Sequence, residues 1–415
     1  ELAPASVPGL PAGAAPAARV TPLADVTLVP GHRFSTGIGE LDRVLGGGLV
    51  RGSVVLIGGE PGIGKSTLLL QAAGVLGSSG VPVLIVCGEE SVQQVRSRAD
   101  RVGASAGVSL LPEVDVSVIE ATILAERPAV VVIDSIQTLF DPGLDGVPGS
   151  VGQVRASAAR LVRLAKSHDV ALIVVGHVTK DGSIAGPRVL EHVVDTVLYF
   201  EGDAEHAFRI VRAAKNRFGS VAEVGIFEMA EDGLVEVGQP SSALLAQRAA
   251  GIAGSAVMAT MEGSRPLLVE VQALVSPSYL PAPRRLSVGI DNARLLQVLA
   301  VLERRAGIAL GSHDVYVSIA GGIRVTEPAV DLPLALALAS SRQDRPLRPD
   351  CVAFGEIGLT GGVRAVPHVA SRVREAARMG FTCSIAPAGG REGTQPGMVG
   401  VPDLVSALGE ALPAG

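Results

Sequence analysis

The run GGEPGIGKST, residues 58–67, constrains this chain more than any other stretch. It reads Gly59-x-x-x-x-Gly64-Lys65-Ser66, follows the apolar run SVVLIG and leads into TLLLQAAGVL. A strand before and a helix after are the context in which a glycine turn wraps backbone N–H groups around phosphates, with the helix dipole adding to the attraction. The candidate binding set is Gly59, Glu60, Pro61, Gly62, Ile63, Gly64, Lys65, Ser66 and Thr67, with ATP or ADP as the ligand. Lys65 supplies charge to the β- and γ-phosphates, and the Ser66 hydroxyl suits Mg²⁺.

The rest of the first half repeats the local pattern. VPVLIVCG, AVVVIDS and VALIVVGH are continuous apolar runs, as expected of parallel strands covered on both faces, and helical stretches between them make βαβ units. Asp134 closes one run, the station of a carboxylate that holds Mg²⁺. Glu89 and Glu90 close another; Glu89 is assigned to polarising the attacking water, while Glu90 suits the first turn of the helix that follows. His177 closes a third and is a candidate sensor of the γ-phosphate. Beyond it lies a Gly-containing stretch bearing Lys180 and Arg188.

Composition narrows the class. There is no apolar run of the roughly 18 residues a membrane span needs and no cleavable leader pattern, so a soluble, cytoplasmic protein is expected. Cys87, Cys351 and Cys383 are odd in number and far apart, which suggests neither a disulfide framework nor a metal cluster; Cys87 reads as a core thiol. Residues 1–240 carry 19 basic and 27 acidic side chains, and residues 241–415 carry 16 and 14. Neither half has a strong polyanion footprint, so any nucleic-acid contact must be local or made by assembly. Only four of the 35 basic side chains are lysines: Lys65, Lys166, Lys180 and Lys215.

The chain divides into a Pro/Ala-rich linker at 1–28, an α/β unit at 29–238, a linker at 239–250 and a second αβ unit at 251–410. The segments STGIGELDRVLGGGLVRGSVVLIGGEPGIGKSTLLLQ, VVVIDSIQTL, VGHVTKDGSIAGPRVLEHVVDTVLYFEG and KNRFG resemble the bacterial RadA/Sms DNA-repair family of RecA-like ATPases. The resemblance extends over roughly residues 30–390. It implies a RecA-like P-loop core with a mainly parallel sheet, followed by an α+β domain like the proteolytic domain of Lon. It also implies a homo-hexameric ring on single-stranded DNA, driving branch migration of recombination intermediates with ATP. Branched DNA and the recombinase RecA are the further partners expected, and no membrane.

In related ring ATPases a Lys-x-Arg pair reaches from one subunit into the next subunit's site. KNR supplies that spacing through Lys215 and Arg217, and residues two apart on a strand share a face. The resemblance thus makes Lys65, Glu89, Asp134, Lys215 and Arg217 the catalytic set, Ser66 and Asp134 the metal ligands, and Lys180, Arg188 and Lys215 the DNA contacts. Family members carry an N-terminal four-cysteine zinc module, and no Cys-x-x-Cys occurs here. As the chain opens without Met on a Pro/Ala stretch, zinc is expected only in an N-terminal module absent from this chain, whether removed, unrepresented or lost.

A Lon-type peptidase needs a serine activated by a buried lysine. In TEPAVDLPLALALAS the serine position holds Asp331, in GEIGLTGGVRAVPH the lysine position holds Arg364, and residues 241–415 contain no lysine. The second unit is therefore expected to be a proteolytically inactive scaffold that supports oligomerisation. Its arginine clusters Arg284–Arg285, Arg304–Arg305 and Arg372/Arg374/Arg378 are candidate duplex contacts. Two other readings remain: a nucleotide-gated structural ring without motor activity, and an ATP-dependent protease.

Overall fold

A computed structural model of the chain describes residue 22 and residues 33–104, 106–177, 189–202, 208–390 and 392–412. Most of the linker at 1–28, Lys180 and Arg188 lie outside the described residues.

The four apolar runs form neighbouring strands of a nine-stranded sheet. Its order is Gly233–Glu236, Val224–Ala230, Phe208–Asn216, Thr196–Glu201, Val54–Gly59, Ala171–His177, Val130–Asp134, Val83–Cys87 and Val108–Leu111. The six strands from Thr196–Glu201 to Val108–Leu111 are parallel, and the other three add an antiparallel meander. Every residue of Val54–Gly59 is buried, because alternate side chains enter two separate cores. Val55 and Ile57 pack with the helices Lys65–Ser78 and Val92–Arg101, whereas Val54 and Leu56 pack with Val116–Glu126 and Val151–Ser167. Helices on both faces of a parallel sheet are what continuous apolar strands require.

Residues 239–250, read as a linker, contain the helix Pro240–Leu245. Its Ser241 is buried, donates to Glu375 at 2.5 Å and accepts from the Leu268 N–H at 3.1 Å. The segment is thus packed rather than a free tether. A seven-stranded mixed sheet follows, in the order Arg285–Val288, His313–Ile319, Arg265–Pro277, Ser255–Glu262, Cys351–Ala353, Cys383–Pro387 and Met398–Val401. The helix Asp331–Gln343 is buried along its first ten residues against this sheet, and Asn292–Arg305 packs beside it. Cys351 and Cys383 lie opposite each other on adjacent strands, and burial pushes the Cys351 thiol up. No helix among the described residues is long and apolar enough to cross a membrane.

Candidate nucleotide site

Parallel pairing in register brings the chemistry to one edge of the first sheet. Gly59 pairs with His177 and Cys87 with Asp134, so these strands end side by side. The glycine turn leaves Val54–Gly59 and enters the helix Lys65–Ser78 through Gly64, whose φ of 116° is left-handed. No side chain caps that helix, which leaves its first-turn N–H groups available to an anion. Gly62 has a φ of 78° with open space where a Cβ would project, and a Cβ on Gly59 would come within 2.9 Å of the Phe200 carbonyl oxygen.

Lys65 is buried and its amine donates to the carbonyls of Gly59 and Glu60, at 2.9 and 2.8 Å. Burial pushes its pKa down, opposed by the charges of Asp134 and Glu89. Asp134 accepts a hydrogen bond from Ser66; burial nonetheless pushes its carboxyl up, with Glu89 adding to the effect. A hydroxyl beside a carboxylate is a hard oxygen donor pair, suited to Mg²⁺ that takes its remaining ligands from phosphate and water. No group of three or more His, Cys, Asp or Glu poised to hold a metal occurs among the described residues, so no all-protein cage competes with that pair.

Glu89 is separated from its partners by long stretches of chain. Its carboxylate accepts from the Ser135 hydroxyl and meets His177 Nε2 at 3.0 and 3.3 Å. The His177 hydrogen bond, then Ser135 and the charge of Lys65, hold Glu89 below the usual glutamate range despite its burial. His177 Nδ1 and Gln137 Oε1 are buried without a hydrogen-bond partner among the described residues. Glu90 does not sit in the first turn of the next helix. Ser91 is the N-cap there, in a reciprocal capping box with Gln94, and Glu90 pairs with Arg98. The arrangement can fix a water at Glu89, and it includes Ser135, Gln137 and Arg98, which the sequence reading left out. Gln137 and Ser135 lie in the DSIQT segment immediately after Asp134, which was the available signal.

Lys215 and Arg217 are elsewhere. Lys215 pairs with Val197, which is adjacent to Leu56 rather than Gly59. That is three strand residues, about 10 Å, short of the glycine turn. Its amine points further away still, donating to the carbonyls of Glu191 and Val194 at 2.8 Å each. The strand ends at Asn216, so the two cations do not share a face; Arg217 turns toward Asp195 at 3.7 Å and remains 58% exposed. Asn216 holds the turn by donating to Val44 O at 3.0 Å and accepting from Phe218 N–H at 2.9 Å. Gly219 lies so close to Gly46 that a Cβ would sit 2.9 Å from its Cα.

In the second unit Asp331 is buried, accepting from Arg294 at 2.8 Å and from the Ile357 N–H at 3.1 Å. Arg364 lies nearby, with Glu356 at 3.4 Å. The pair offers neither a hydroxyl nor an amine that could lose its proton. Arg372, read as a candidate duplex contact, is fully buried: it pairs with Glu327 at 2.5 and 2.9 Å and donates to Ala259 O at 2.5 Å. A side chain so enclosed cannot meet DNA. Arg285 is likewise spent on the carbonyls of His313 and Leu310. Arg304 and Arg374 stay exposed.

A family model described as "AAA domain" matches residues 19–183, and one described as "Subunit ChlI of Mg-chelatase" matches residues 291–389. The chain is 50% identical over 397 residues to the DNA repair protein RadA of Bacillus subtilis (strain 168), covering 94% of this chain and 87% of that protein. It is 54% identical over 366 residues to the DNA repair protein RadA of Brucella abortus (strain 2308), covering 87% and 78%. The DNA repair protein RadA of Pseudomonas aeruginosa PAO1 is 53% identical over 373 residues, covering 90% and 82%.

Proposed function

As the chain belongs to the family of the DNA repair protein RadA and is an ATPase of DNA repair, we propose that it hydrolyses ATP at sites shared between copies and uses that energy to migrate branches in DNA. The reading rests on one observation. The glycine turn leaves one end of Val54–Gly59, whereas Lys215 lies level with Leu56 and its amine turns toward the other end of the strands, so the two do not meet within this chain. A neighbouring copy supplies the missing half, and a hexameric ring around single-stranded DNA is the assembly we favour.

Mg²⁺ held by Ser66 and Asp134 neutralises charge on the β- and γ-phosphates when bound. In this reading Lys65 leaves its carbonyls for the phosphates, and Glu89 orients and polarises water. His177 and Ser135 hold Glu89 in place and ionised, and His177 links the site to the segment that bears Lys180 and Arg188. Arg217 is the more exposed cation, and Lys215 follows by exchanging the Glu191 and Val194 carbonyls for phosphate oxygens. The second unit acts as a scaffold: Asp331 bound by Arg294 cannot serve as a serine nucleophile would, and no lysine is present to activate one.

Mixing Lys65→Ala chains with Lys215→Ala chains tests the reading. Each alone should lose most of its ATPase, and the mixture should recover part of the single-stranded-DNA-stimulated activity. Absence of recovery in assemblies shown by mass to contain both chains would refute sharing. A labelled three-strand junction that stays in place under ATP would leave an ATPase but remove branch migration.

A further inference from the structure

One hairpin of the second sheet reaches the first. Ser255–Glu262 and Arg265–Pro277 pair with Glu262 opposite Arg265, which leaves a two-residue tip of Gly263 and Ser264. All four of these residues touch the first unit. Glu262 accepts from Arg212 Nη2 at 2.6 Å. Gly263, with a φ of 60°, lies against Ala222 so tightly that a Cβ would be 1.7 Å from its carbonyl oxygen. Ser264 N–H donates to that same carbonyl at 2.6 Å, and its hydroxyl donates to Glu223 at 2.7 Å. Arg265 donates to the buried Glu40 at 2.6 Å and to Gly238 O at 3.1 Å.

The grip falls on either side of the cation segment. Arg212 comes three residues before Lys215, and Ala222 five residues after Arg217. Glu40 also accepts from the Ile226 N–H at 3.0 Å, in the strand that leaves this connection. The beginning of the connection is pinned separately, by Asn216 on Val44 and Gly219 on Gly46. The hairpin tip therefore supplies the restraint at the other end. Glu262 and Glu40 are both buried, so these are enclosed pairs rather than solvated surface charges.

We infer that the Glu262–Arg265 tip is a positioning element for Lys215 and Arg217, through which the second unit sets the rate of hydrolysis at a neighbour's nucleotide. The inference rests on the shared-site reading above. It gives the second unit a part in turnover that needs no peptidase chemistry.

The test uses the full chain with saturating single-stranded DNA. Gly263→Ala forces the Ala222 carbonyl to move; displacement of a catalytic group by about 1 Å costs about 10²-fold. A kcat loss of that order is expected, with KM for ATP and assembled mass unchanged, because the chain's own binding turn is untouched. Ser264→Ala, which keeps the turn's backbone, should lose less, and Ser264→Thr should recover it. Combined with Lys215→Ala/Arg217→Ala, Gly263→Ala should add no further loss, since it acts through those side chains.

Wild-type kcat in folded Gly263→Ala protein, or losses that simply multiply in the combined variant, would overturn the positioning role. If Gly263→Ala does not fold, the Ser264 pair decides, and equal kcat in Ser264→Ala and Ser264→Thr overturns it. If Lys215→Ala/Arg217→Ala alone keeps full kcat, the shared-site reading itself falls, a result distinct from failure of the tip.

Discussion

In the proposed reaction, Glu89 is the residue that orients and polarises the attacking water. Glu89→Gln keeps the shape and removes the charge; kcat should drop by about 10²–10⁴-fold with ATP binding retained, measured by single-turnover hydrolysis beside equilibrium binding. His177→Ala should lower kcat as well, because Glu89 loses the hydrogen bond that contributes most to keeping it ionised. The glycine turn, Lys65, Ser66 and the strand-end Asp134 were legible in the sequence because each belongs to a local pattern. The joining of Glu89 to Ser135 and His177 was not, since those partners lie 46 and 88 residues away and meet only when three strands are laid side by side. Arg372 misled for the opposite reason. Arginine on an amphipathic helix is ordinarily solvated, and nothing local reveals Glu327, 45 residues upstream, waiting for it.

At the scale of elements, the KNRFG segment combines two jobs. Lys215 and Arg217 carry charge, while Asn216 and Gly219 lock the turn to Val44 and Gly46. The two jobs should separate experimentally. Asn216→Ala strips a half-buried side chain of its bonds and should lower stability by about 1–3 kcal/mol in denaturant titration. Arg217→Ala should leave the denaturation midpoint alone and cut kcat by about 10³-fold or more. The parallel strands themselves were readable as continuous Val/Ile/Leu runs. The helix Pro240–Leu245 was not, because a short Pro/Ser/Ala stretch looks like a tether until its Ser241 finds Glu375 and Leu268 on the packed sheet.

For the molecule as a whole, the second unit's stability has a charge at its centre. Burial pushes the Glu327 carboxyl up, but Arg372, Thr260 and the Met261 N–H together hold it below the usual glutamate range. A carboxylate lowered on folding stabilises above its unfolded pKa of about 4.3, and that share is lost as pH falls through the folded value. Arg372→Ala leaves this acid buried and unpaired, and should cost about 3–5 kcal/mol at pH 7. Thermal melts taken from pH 7 down to 3 should show the variant's deficit shrinking on the acid side. The placement of the glycine turn and the cations has a larger consequence. Two copies related by a two-fold axis present the same patch to each other, which cannot satisfy both ends of such a molecule. On the shared-site reading growth is head-to-tail, and every open stack keeps one idle turn and one idle pair of cations until its ends meet. Turnover per chain should therefore rise steeply with protein concentration and then level off, making dilution an off switch.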